Sequence, residues 1–446
     1  MTLRPDEYRS LDATTLGALV AAGEVTEEEV WEAATAVHEA THPTINAVLE
    51  WYDDPLPAQG GPLAGVPFLR KDYGSTEAGR LVEMGSRLTE GVVADRTSRL
   101  IERVRASGAR VVGRSAVPEM IMHGTTESRV HGATRNPHAP EWSAGGSSGG
   151  AAAAVAAGVV PIAHASDCAG SIRIPAAVCG LVGLKPGRGV IPWENGGWGG
   201  IATEFVLARS VGDVSYFWEL LRSPSFEPNR EHERHAPRRI ALDTSHWGGA
   251  TPEPLVVEAT DRAARMLGAA GHRVEAVDRF VDPEPIASAW DALFGRWVAH
   301  DVATWSARTG RPADADHLEP ATLAQVEAVR RLSVDDLTVA QERTGGAVFD
   351  LMRRMEHFDV LLTPTLGRSR IPLGEVGGEI DDLDEYQRLN DEIFCYSFLA
   401  NVAGWPAISV PAGDDAGHPV GVQLMARPGD ERRLLALAAD LEAALD

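Results

Sequence analysis

The sequence predicts an α/β protein, because short apolar strands alternate with helical stretches along the chain. A strand at Arg239–Asp243, a helix near 254–270 and a strand at His272–Val277 form a βαβ-like unit. Three further apolar runs read as buried strands: Val360–Pro364, Ala407–Pro411 and Pro419–Leu424. The length of 446 residues suits one large α/β domain or two ordinary ones.

The N-terminal third predicts helices followed by two strands. Residues 11–40 indicate two short amphipathic helices, with Thr14 and Thr26 as caps and Glu27, Glu28 and Glu29 in a first turn. An apolar strand, Val66–Leu69, then carries Lys71 at its end. A helix near 96–107 leads into a β-branched strand at 109–113.

Glycine and alanine are densest in residues 141–190, which are followed by more regular elements. Ala151–Ala157 predicts a close-packed helix, and a strand at Val159–Ala163 feeds a glycine turn at which Ser171 opens a second helix. Residues 285–357 show helical spacing and predict an inserted cap, and a final helix covers about 430–445. The polar stretch Pro224–Pro237 predicts a surface loop.

Composition excludes several classes of function. The formal charge of −23, with no offsetting Lys/Arg cluster, argues against nucleic-acid binding. Three cysteines in so long a chain do not form a disulfide framework. No apolar leader segment and no run near ~18 apolar residues is present, so we expect a soluble cytoplasmic protein without membrane contact.

Lysine is almost absent from this chain. Only two lysines occur, Lys71 and Lys185. All the other strongly basic side chains are arginines. Arginine can replace lysine wherever a surface needs positive charge, but it cannot serve where a neutral amine must accept a proton. Both lysines lie in apolar contexts, so each is a candidate for chemistry, although chance survival explains either one alone equally well.

Two serine-glycine turns lie twenty residues apart. The first reads Ser143-Ala-Gly-Gly-Ser-Ser-Gly-Gly150, and the second reads Ser166-Asp-Cys-Ala-Gly-Ser-Ile-Arg-Ile-Pro175. Each precedes a helix, whose free N–H groups point back at the serines. Consecutive N–H groups in such a turn can form an oxyanion hole. Taken singly, each serine is best interpreted as a helix N-cap or a turn residue. Two such turns together with a rare lysine favour acyl transfer.

A histidine base, which acyl transfer usually employs, is not evident. No Gly-x-Ser-x-Gly elbow frames a serine, and His164 lies in an apolar strand typical of a packed core histidine. A neutral lysine can act instead if burial holds its pKa below about 10.4. The lysine would take a proton from one serine, and that serine would in turn take a proton from the other.

These motifs resemble the amidase signature family. The likeness lies in Gly145–Gly150, in Asp167–Pro175 and in Cys179–Pro186, and it extends to Gly61–Pro67 with Lys71-Asp72, Thr134–Pro137, Leu362–Thr365 and Pro419–Leu424. It spans nearly the whole chain and implies a large mixed β-sheet core flanked by helices. The single domain of residues 1–446 would comprise an N-terminal helical segment (about 1–55), a signature core (about 60–215) and the helical insertion (about 285–357).

The resemblance also implies the catalytic roles. Ser171 would be the nucleophile, Ser147 the bridging serine in a cis peptide with Gly146, and Lys71 the general base. The backbone N–H groups of Cys168, Ala169, Gly170 and Ser171 would form the oxyanion hole. Supporting roles fall to Gly146, to Ser148 in its turn, and to Asp167 and Arg173 as a paired brace. The implied activity is hydrolysis of carboxylic amides, with no cofactor and no metal.

One position departs from the family pattern, and two nearby residues have simpler explanations. The family usually has glycine where this chain has Ala169, and a β-carbon there narrows the pocket or changes the backbone angles of the oxyanion turn. Lys185 ends a strand and is interpreted as structural. Cys168 is interpreted as a small buried residue rather than a nucleophile.

Three other interpretations have weaker signals. His38-Glu39-Ala-Thr-His42 fits the zinc-protease pattern, but Pro43 should fray the helix and no third ligand follows, so we interpret it as a chance match. Gly197–Ala202 only weakly resembles a dinucleotide motif. Within the family, the alternative is the amide-hydrolysing component of a glutamine-dependent amidotransferase, which works with partner subunits.

The substrate is the least determined property. Aromatic and sulfur-containing residues near the motifs could line an apolar pocket, or could be ordinary core: Tyr73, Met120, Met122, Trp193, Trp198 and Trp405. With no evident arginine clamp, they favour neutral aromatic or aliphatic amides, anilides, esters or carbamates. The expected partner is thus a small molecule, and a homodimer is left open.

Overall fold

The structure is a computed structural model that describes residues 3–194, 197–229, 236–247, 250–282, 284–415 and 417–445. The strands in chain order are β1 (Val48–Trp51), β2 (Pro67–Lys71), β3 (Arg110–Ser115), β4 (Glu127–Ser128), β5 (Gly132–Ala133), β6 (Arg135–Asn136), β7 (Ala139–Ser143), β8 (Ile162–Asp167), β9 (Val182–Lys185), β10 (Thr203–Ala208), β11 (Arg239–Leu242), β12 (Arg273–Ala276), β13 (Val360–Pro364), β14 (Ala407–Asp415) and β15 (His418–Ala426).

The helices surround these strands. In chain order they are α1 (Pro5–Ser10), α2 (Ala13–Ala21), α3 (Glu27–Ile45), α4 (Arg99–Ala106), α5 (Gly149–Ala156), α6 (Arg173–Cys179), α7 (Gly197–Gly200), α8 (Val211–Leu221), α9 (Pro254–Ala269), α10 (Glu284–Thr309), α11 (Pro320–Arg330), α12 (Val334–Arg354), α13 (Leu383–Phe394), α14 (Phe398–Ala403) and α15 (Glu431–Leu445).

One mixed sheet contains eleven of the strands. Its order is β1-β3-β2-β8-β10-β9-β14-β15-β13-β11-β12, while β4–β5 and β6–β7 form two small hairpins. The runs β3-β2-β8 and β13-β11-β12 are parallel, and the middle of the sheet is antiparallel. The predicted mixed sheet with flanking helices is therefore confirmed. Pairing of β9 with β14 joins the first half of the chain to the second within this sheet.

The topology brings the candidate catalytic segments to one edge of the sheet. Strands β2 and β8 are parallel neighbours, with Phe68 opposite Ile162. Their carboxyl ends therefore lie side by side. Lys71 is the last residue of β2, and Asp167, the last residue of β8, leads directly into the turn of Ser171. This convergence follows from strand order, which the sequence alone does not display.

The N-terminal helices show one confirmed cap and two corrections. Thr26 caps α3 in a reciprocal pair with Glu29, as predicted. Thr14 was the wrong cap for α2, because the carboxylate of Asp12 accepts the N–H of Thr15 instead. The predicted fraying at Pro43 was also wrong. Helix α3 runs on to Ile45, which is buried, and ends where Asn46 adopts a left-handed conformation.

Apolar side chains form two separate clusters. The main core lies along the sheet and includes Phe68, Ile162 and Leu424. The smaller one, here called the insertion cluster, joins the loops beside the nucleophile turn to the helices of the insertion. Its buried members are Met84, Leu88, Val117, Met120, Ile121, Met122, Cys168, Trp198, Val298, Val302, Leu318 and Val326.

The predicted loop at Pro224–Pro237 lies partly outside the described residues, since 230–235 are not among them. Within the part of the chain that is described, no helix has both the length and the apolar character that crossing a membrane requires.

Candidate active site

Lys71 lies at the centre of a group of three serine hydroxyls. Its Nζ is 2.8 Å from Oγ of Ser147, 2.8 Å from Oγ of Ser148 and 2.9 Å from Oγ of Ser166. The lysine side chain has no solvent exposure. The structure therefore brings the predicted lysine and bridging serine together, and it adds Ser166, which sequence reasoning missed.

The surrounding hydrogen bonds assign a direction to the hydroxyl proton of Ser148. Ser148 Oγ donates to the carbonyl of Ser166 at 3.2 Å, so towards Lys71 it acts as an acceptor. A neutral amine has two N–H groups and one lone pair. Where the two N–H groups of a neutral Lys71 are directed at Ser148 and Ser166, its lone pair is left for the hydroxyl of Ser147. That is the arrangement a base needs to take a proton from Ser147.

Burial is what makes a neutral lysine attainable. Removal from water disfavours the ammonium form and lowers the pKa of Lys71 to about 7, although Asp167 and Cys168 act in the opposite direction. A buried neutral histidine adds to this environment: burial lowers the pKa of His164, whose Nδ1 accepts the backbone N–H of Lys71 at 3.3 Å. The lysine is thus available as a base near neutral pH.

Gly146 and Ser147 are joined by a cis peptide bond, as the resemblance implied. Gly146 lies against the loop at 123–125, where an added β-carbon would come within 2.1 Å of the carbonyl oxygen of Thr125. No larger residue fits there without moving that loop. The glycine is therefore required by close packing behind the bridging serine.

Ser171 occupies the turn between β8 and α6 and is nearly buried. Its hydroxyl makes no hydrogen bond to any residue that the structure describes, so the Ser171–Ser147 contact of a relay is not formed here. Catalytic hydrogen bonds often tighten only when substrate binds. The turn itself is held firmly, because an added β-carbon at Gly170, with φ of 134°, would lie 2.4 Å from Oγ of Ser397.

Asp167 and Arg173 brace this turn, as the sequence predicted. Arg173 binds Asp167 in a bidentate pair of 2.8 and 2.9 Å, and its remaining N–H groups donate to Ser397, Asn401 and Gln423. Burial alone would raise the pKa of Asp167, but the charge and hydrogen bonds of Arg173 outweigh it and lower that pKa to about 2. Ser397 and Asn401 lie in no motif, and the motif Pro419–Leu424 that contains Gln423 does not identify its partner.

The Asp167 carboxylate reduces the number of N–H groups available to the proposed oxyanion hole. Asp167 accepts the N–H of Gly170 at 2.8 Å, so that N–H is not free to receive an oxyanion. The N–H groups of Cys168, Ala169 and Ser171 donate to no residue within the described chain. Ala169 has no positive φ, so its β-carbon is accommodated without backbone strain, and its carbonyl accepts the hydroxyl of Ser397.

Replacing Arg173 by methionine is expected to lower the free energy of unfolding by about 3–5 kcal/mol, because Asp167 would remain as a buried, uncompensated carboxylate. Chemical denaturation followed by circular dichroism measures this. The control is Arg388→Met, which removes exposed ion pairs with Glu385 and Glu392 that water and salt screen, and it should leave the free energy of unfolding nearly unchanged. Equal losses in the two variants would contradict the bracing role.

Most of the predicted pocket residues lie in or against the insertion cluster. Met120, Met122 and Trp198 are members, and Tyr73 packs against it and contacts Trp193 edge to face, with 6.0 Å between ring centroids. Trp405 instead lies in the main core. Burial, with the negative charges of Asp167 and Asp301, holds the pKa of the Cys168 thiol well above its ordinary value, which disfavours a thiolate nucleophile.

The two histidines of the zinc-protease interpretation lie outside the serine and lysine cluster. His38 and His42 are on α3, with 5.1 Å between their rings, and His38 stacks on Trp51. Among the described residues no group of three or more ligating side chains could hold a metal ion. Lys185 is buried at the end of β9 and donates to the carbonyl of Pro186, in agreement with a structural role.

Known proteins with similar sequences and folds include amide hydrolases. The amidase family matches residues 24–435. The chain is 32% identical to 6-aminohexanoate-cyclic-dimer hydrolase from Paenarthrobacter ureafaciens, over 97% of the chain and 94% of that protein. It is 30% identical to acylamidase from Rhodococcus erythropolis, over 97% and 95%. A solved 6-aminohexanoate cyclic dimer hydrolase with substrate matches with a TM-score of 0.89, at 31% identity over 98% and 97%.

Proposed function

The chain belongs to the amidase family and is a hydrolase of carbon–nitrogen bonds in carboxylic amides, and we propose that it acts through an acyl-enzyme on Ser171. Ser147 would relay protons and Lys71 would be the base. The observation that carries this proposal is the contact of 2.8 Å between Nζ of a fully buried Lys71 and Oγ of Ser147.

The proposed first half-reaction forms the acyl-enzyme. The hydroxyl proton of Ser171 passes to Ser147 Oγ as the proton of Ser147 passes to neutral Lys71, and Ser171 Oγ attacks the amide carbonyl carbon. The N–H groups of Cys168, Ala169 and Ser171 would stabilise the resulting oxyanion. The ammonium of Lys71 then returns its proton through Ser147 to the amide nitrogen, and the carbon–nitrogen bond breaks.

The second half-reaction would release the acid. A water molecule gives its proton to Lys71 through the same serine and attacks the acyl carbon. The tetrahedral intermediate collapses, the proton returns to Ser171 Oγ, and the carboxylic acid leaves. Each residue ends in its starting state, so no cofactor is needed for the proton balance.

For the substrate, we propose amides with aliphatic or aromatic parts, and anilides, esters or carbamates as side substrates. The apolar insertion cluster beside the nucleophile turn supports this class. The names of two relatives, a cyclic-dimer hydrolase and an acylamidase, agree with it. Assay of p-nitroanilide, ester and carbamate panels would rank these groups.

Labelling of Ser171 tests the proposal directly. A fluorophosphonate, which reacts with nucleophilic serines, should modify Ser171 stoichiometrically and abolish anilide hydrolysis, and mass spectrometry of the digest should locate the label. Ser171→Ala should be unlabelled and should lose at least about three orders of magnitude in rate. Labelling at another serine, or an active Ser171→Ala protein, would refute the assignment.

The same preparation separates the alternatives. Dialysis against EDTA should leave activity intact, whereas a zinc protease using His38 and His42 would lose it. Glutaminase activity that depends on an added partner protein would instead favour the amidotransferase. The cytoplasmic location and the homodimer stay predictions of the sequence, and light scattering in solution would test the second.

A further inference from the structure

A cavity of about 270 Å³ lies between the catalytic core and the helical insertion. Its interior is lined by aromatic rings, which belong to Tyr73, Trp193, Trp198 and Trp305. Trp198 packs in the same cluster as Cys168, the first residue of the nucleophile turn that follows β8. The cavity therefore lies near the nucleophile turn, where the proposed function requires the amide group to bind.

Two carboxylates line the interior of this cavity, and they differ in their partners. Glu204 is buried and satisfied, since it accepts the hydroxyl of Ser75 at 2.9 Å and lies 3.3 Å from Nε2 of His164. Asp301, contributed by α10, accepts only the indole N–H of Trp198, at 2.9 Å through Oδ2. Its other oxygen, Oδ1, makes no hydrogen bond to any residue that the structure describes.

The arginines that line the cavity are exposed, with Arg308 over the ring of Trp305 at 5.0 Å, and the neighbouring His300 is a charge that acts on Asp301. Arg96 is near Glu194 at 3.8 Å, and Arg308 is near Asp95 at 3.9 Å. Arg99 is also exposed. Such exposed charges are screened by water and salt, whereas a carboxylate between aromatic walls acts in a less polar medium. The charge that remains to be compensated inside the cavity is negative.

We propose that Asp301 selects amides that carry an ammonium group on the part of the substrate that enters this cavity. The ammonium would donate to Oδ1 of Asp301 while the faces of the surrounding indole rings contact its positive charge. Burial raises the pKa of Asp301, and a bound cation beside it would favour its charged form. This inference rests on the proposed function, because it names a substrate class for the same active site.

The test compares substrates that differ by one charge at constant size. On the acyl side these are the p-nitroanilides of 5-aminopentanoic and hexanoic acid, and on the amine side N-(5-aminopentyl)acetamide and N-hexylacetamide. In at least one pair, the wild-type protein should prefer the ammonium substrate in kcat/KM by about tenfold or more. Asp301→Asn keeps an acceptor for Trp198 but should abolish that preference, with the rate on the neutral substrate changed less than about threefold.

Asp95→Asn is the matched control, because Asp95 is an exposed carboxylate at the mouth of the same cavity, and it should keep the preference. The inference is overturned if the wild-type protein prefers neither ammonium substrate, or if Asp301→Asn keeps the preference. It is also overturned if that variant slows charged and neutral substrates equally, since the role would then be structural. Failure of the proposed function would appear differently, as an active Ser171→Ala protein.

Discussion

Lys71→Arg is expected to be inactive towards amides although it keeps a positive charge of similar reach. A guanidinium does not lose its proton in a protein, so it cannot accept the proton of Ser147. The loss should equal that of Lys71→Ala and reach at least about 10²–10⁴-fold in kcat/KM, the usual contribution of a general base. Circular dichroism and the thermal midpoint establish that each variant is folded.

The pH dependence gives a second readout of the same lysine. Its pKa of about 7 means that the ammonium form predominates below that pH and the neutral amine above it. Because only the neutral amine accepts a proton, kcat/KM of the wild-type protein should rise as pH passes upward through about 7 and then level off. This limb should vanish in both Lys71 variants. Esters should suffer less than amides, since an alkoxide leaves without a proton and an amine does not.

The second lysine is a matched control. Lys185 is also buried, and burial lowers its pKa to about 7 as well, but its amine contacts only the carbonyl of Pro186 within the described residues. Lys185→Arg and Lys185→Met should therefore keep the pH limb and most of the activity in any variant that folds. A folded Lys71→Arg protein that cleaves amides at near the wild-type rate would show that the relay proposed here is wrong.

The serines around Lys71 are expected to be unequal even though the lysine contacts them at similar distances. Ser147→Ala removes the hydroxyl that would carry protons between Ser171 and Lys71, and kcat should fall by about three orders of magnitude. Ser148→Ala and Ser166→Ala each remove an acceptor of a lysine N–H, a hydrogen bond worth about 1 kcal/mol, or roughly a fivefold change. Single-turnover kinetics on an anilide measures each value.

The pH profile distinguishes a relay from mere support of the lysine. Loss of an acceptor at Ser148 or Ser166 should shift the pH limb, because it changes the stability of the ammonium relative to the amine. Loss of Ser147 should lower the plateau far more than it shifts the limb. Equal losses in Ser147→Ala and Ser148→Ala would contradict the assignment of the lysine lone pair to Ser147.

Sequence reasoning found the elements whose signal is local. Lys71 at a strand end, the cap at Thr26 and the brace of Asp167 with Arg173 all follow from short patterns, and the structure contains each of them. Short strands with weak patterns were missed, among them β1, β10 and the hairpin strands β4, β5, β6 and β7, as were helices α1, α8, α13 and α14. Strand β10 pairs on both sides and is buried throughout, so it shows no alternation that would mark it.

Contacts between residues far apart in the sequence could not be predicted, for a different reason. Asn401 and Gln423 bind Arg173 across more than two hundred residues of chain, and nothing in their local sequence specifies that partner. Ser166 reads as part of the turn, and only the parallel pairing of β2 with β8 brings it to Lys71. Asp301 comes from the insertion, whose packing on the core depends on tertiary structure.

The burial of both lysines leaves no lysine amine on the folded surface for amine reagents to modify. Surface cations of this chain are guanidinium groups, which anhydrides and activated esters do not modify under mild conditions. Acylation at Lys71 or Lys185 would need the sheet to open around β2 or β9, so its rate, read position by position by mass spectrometry, would measure the free energy of local opening. The two lysine amines are thus natural reporters of motion in the core of the protein.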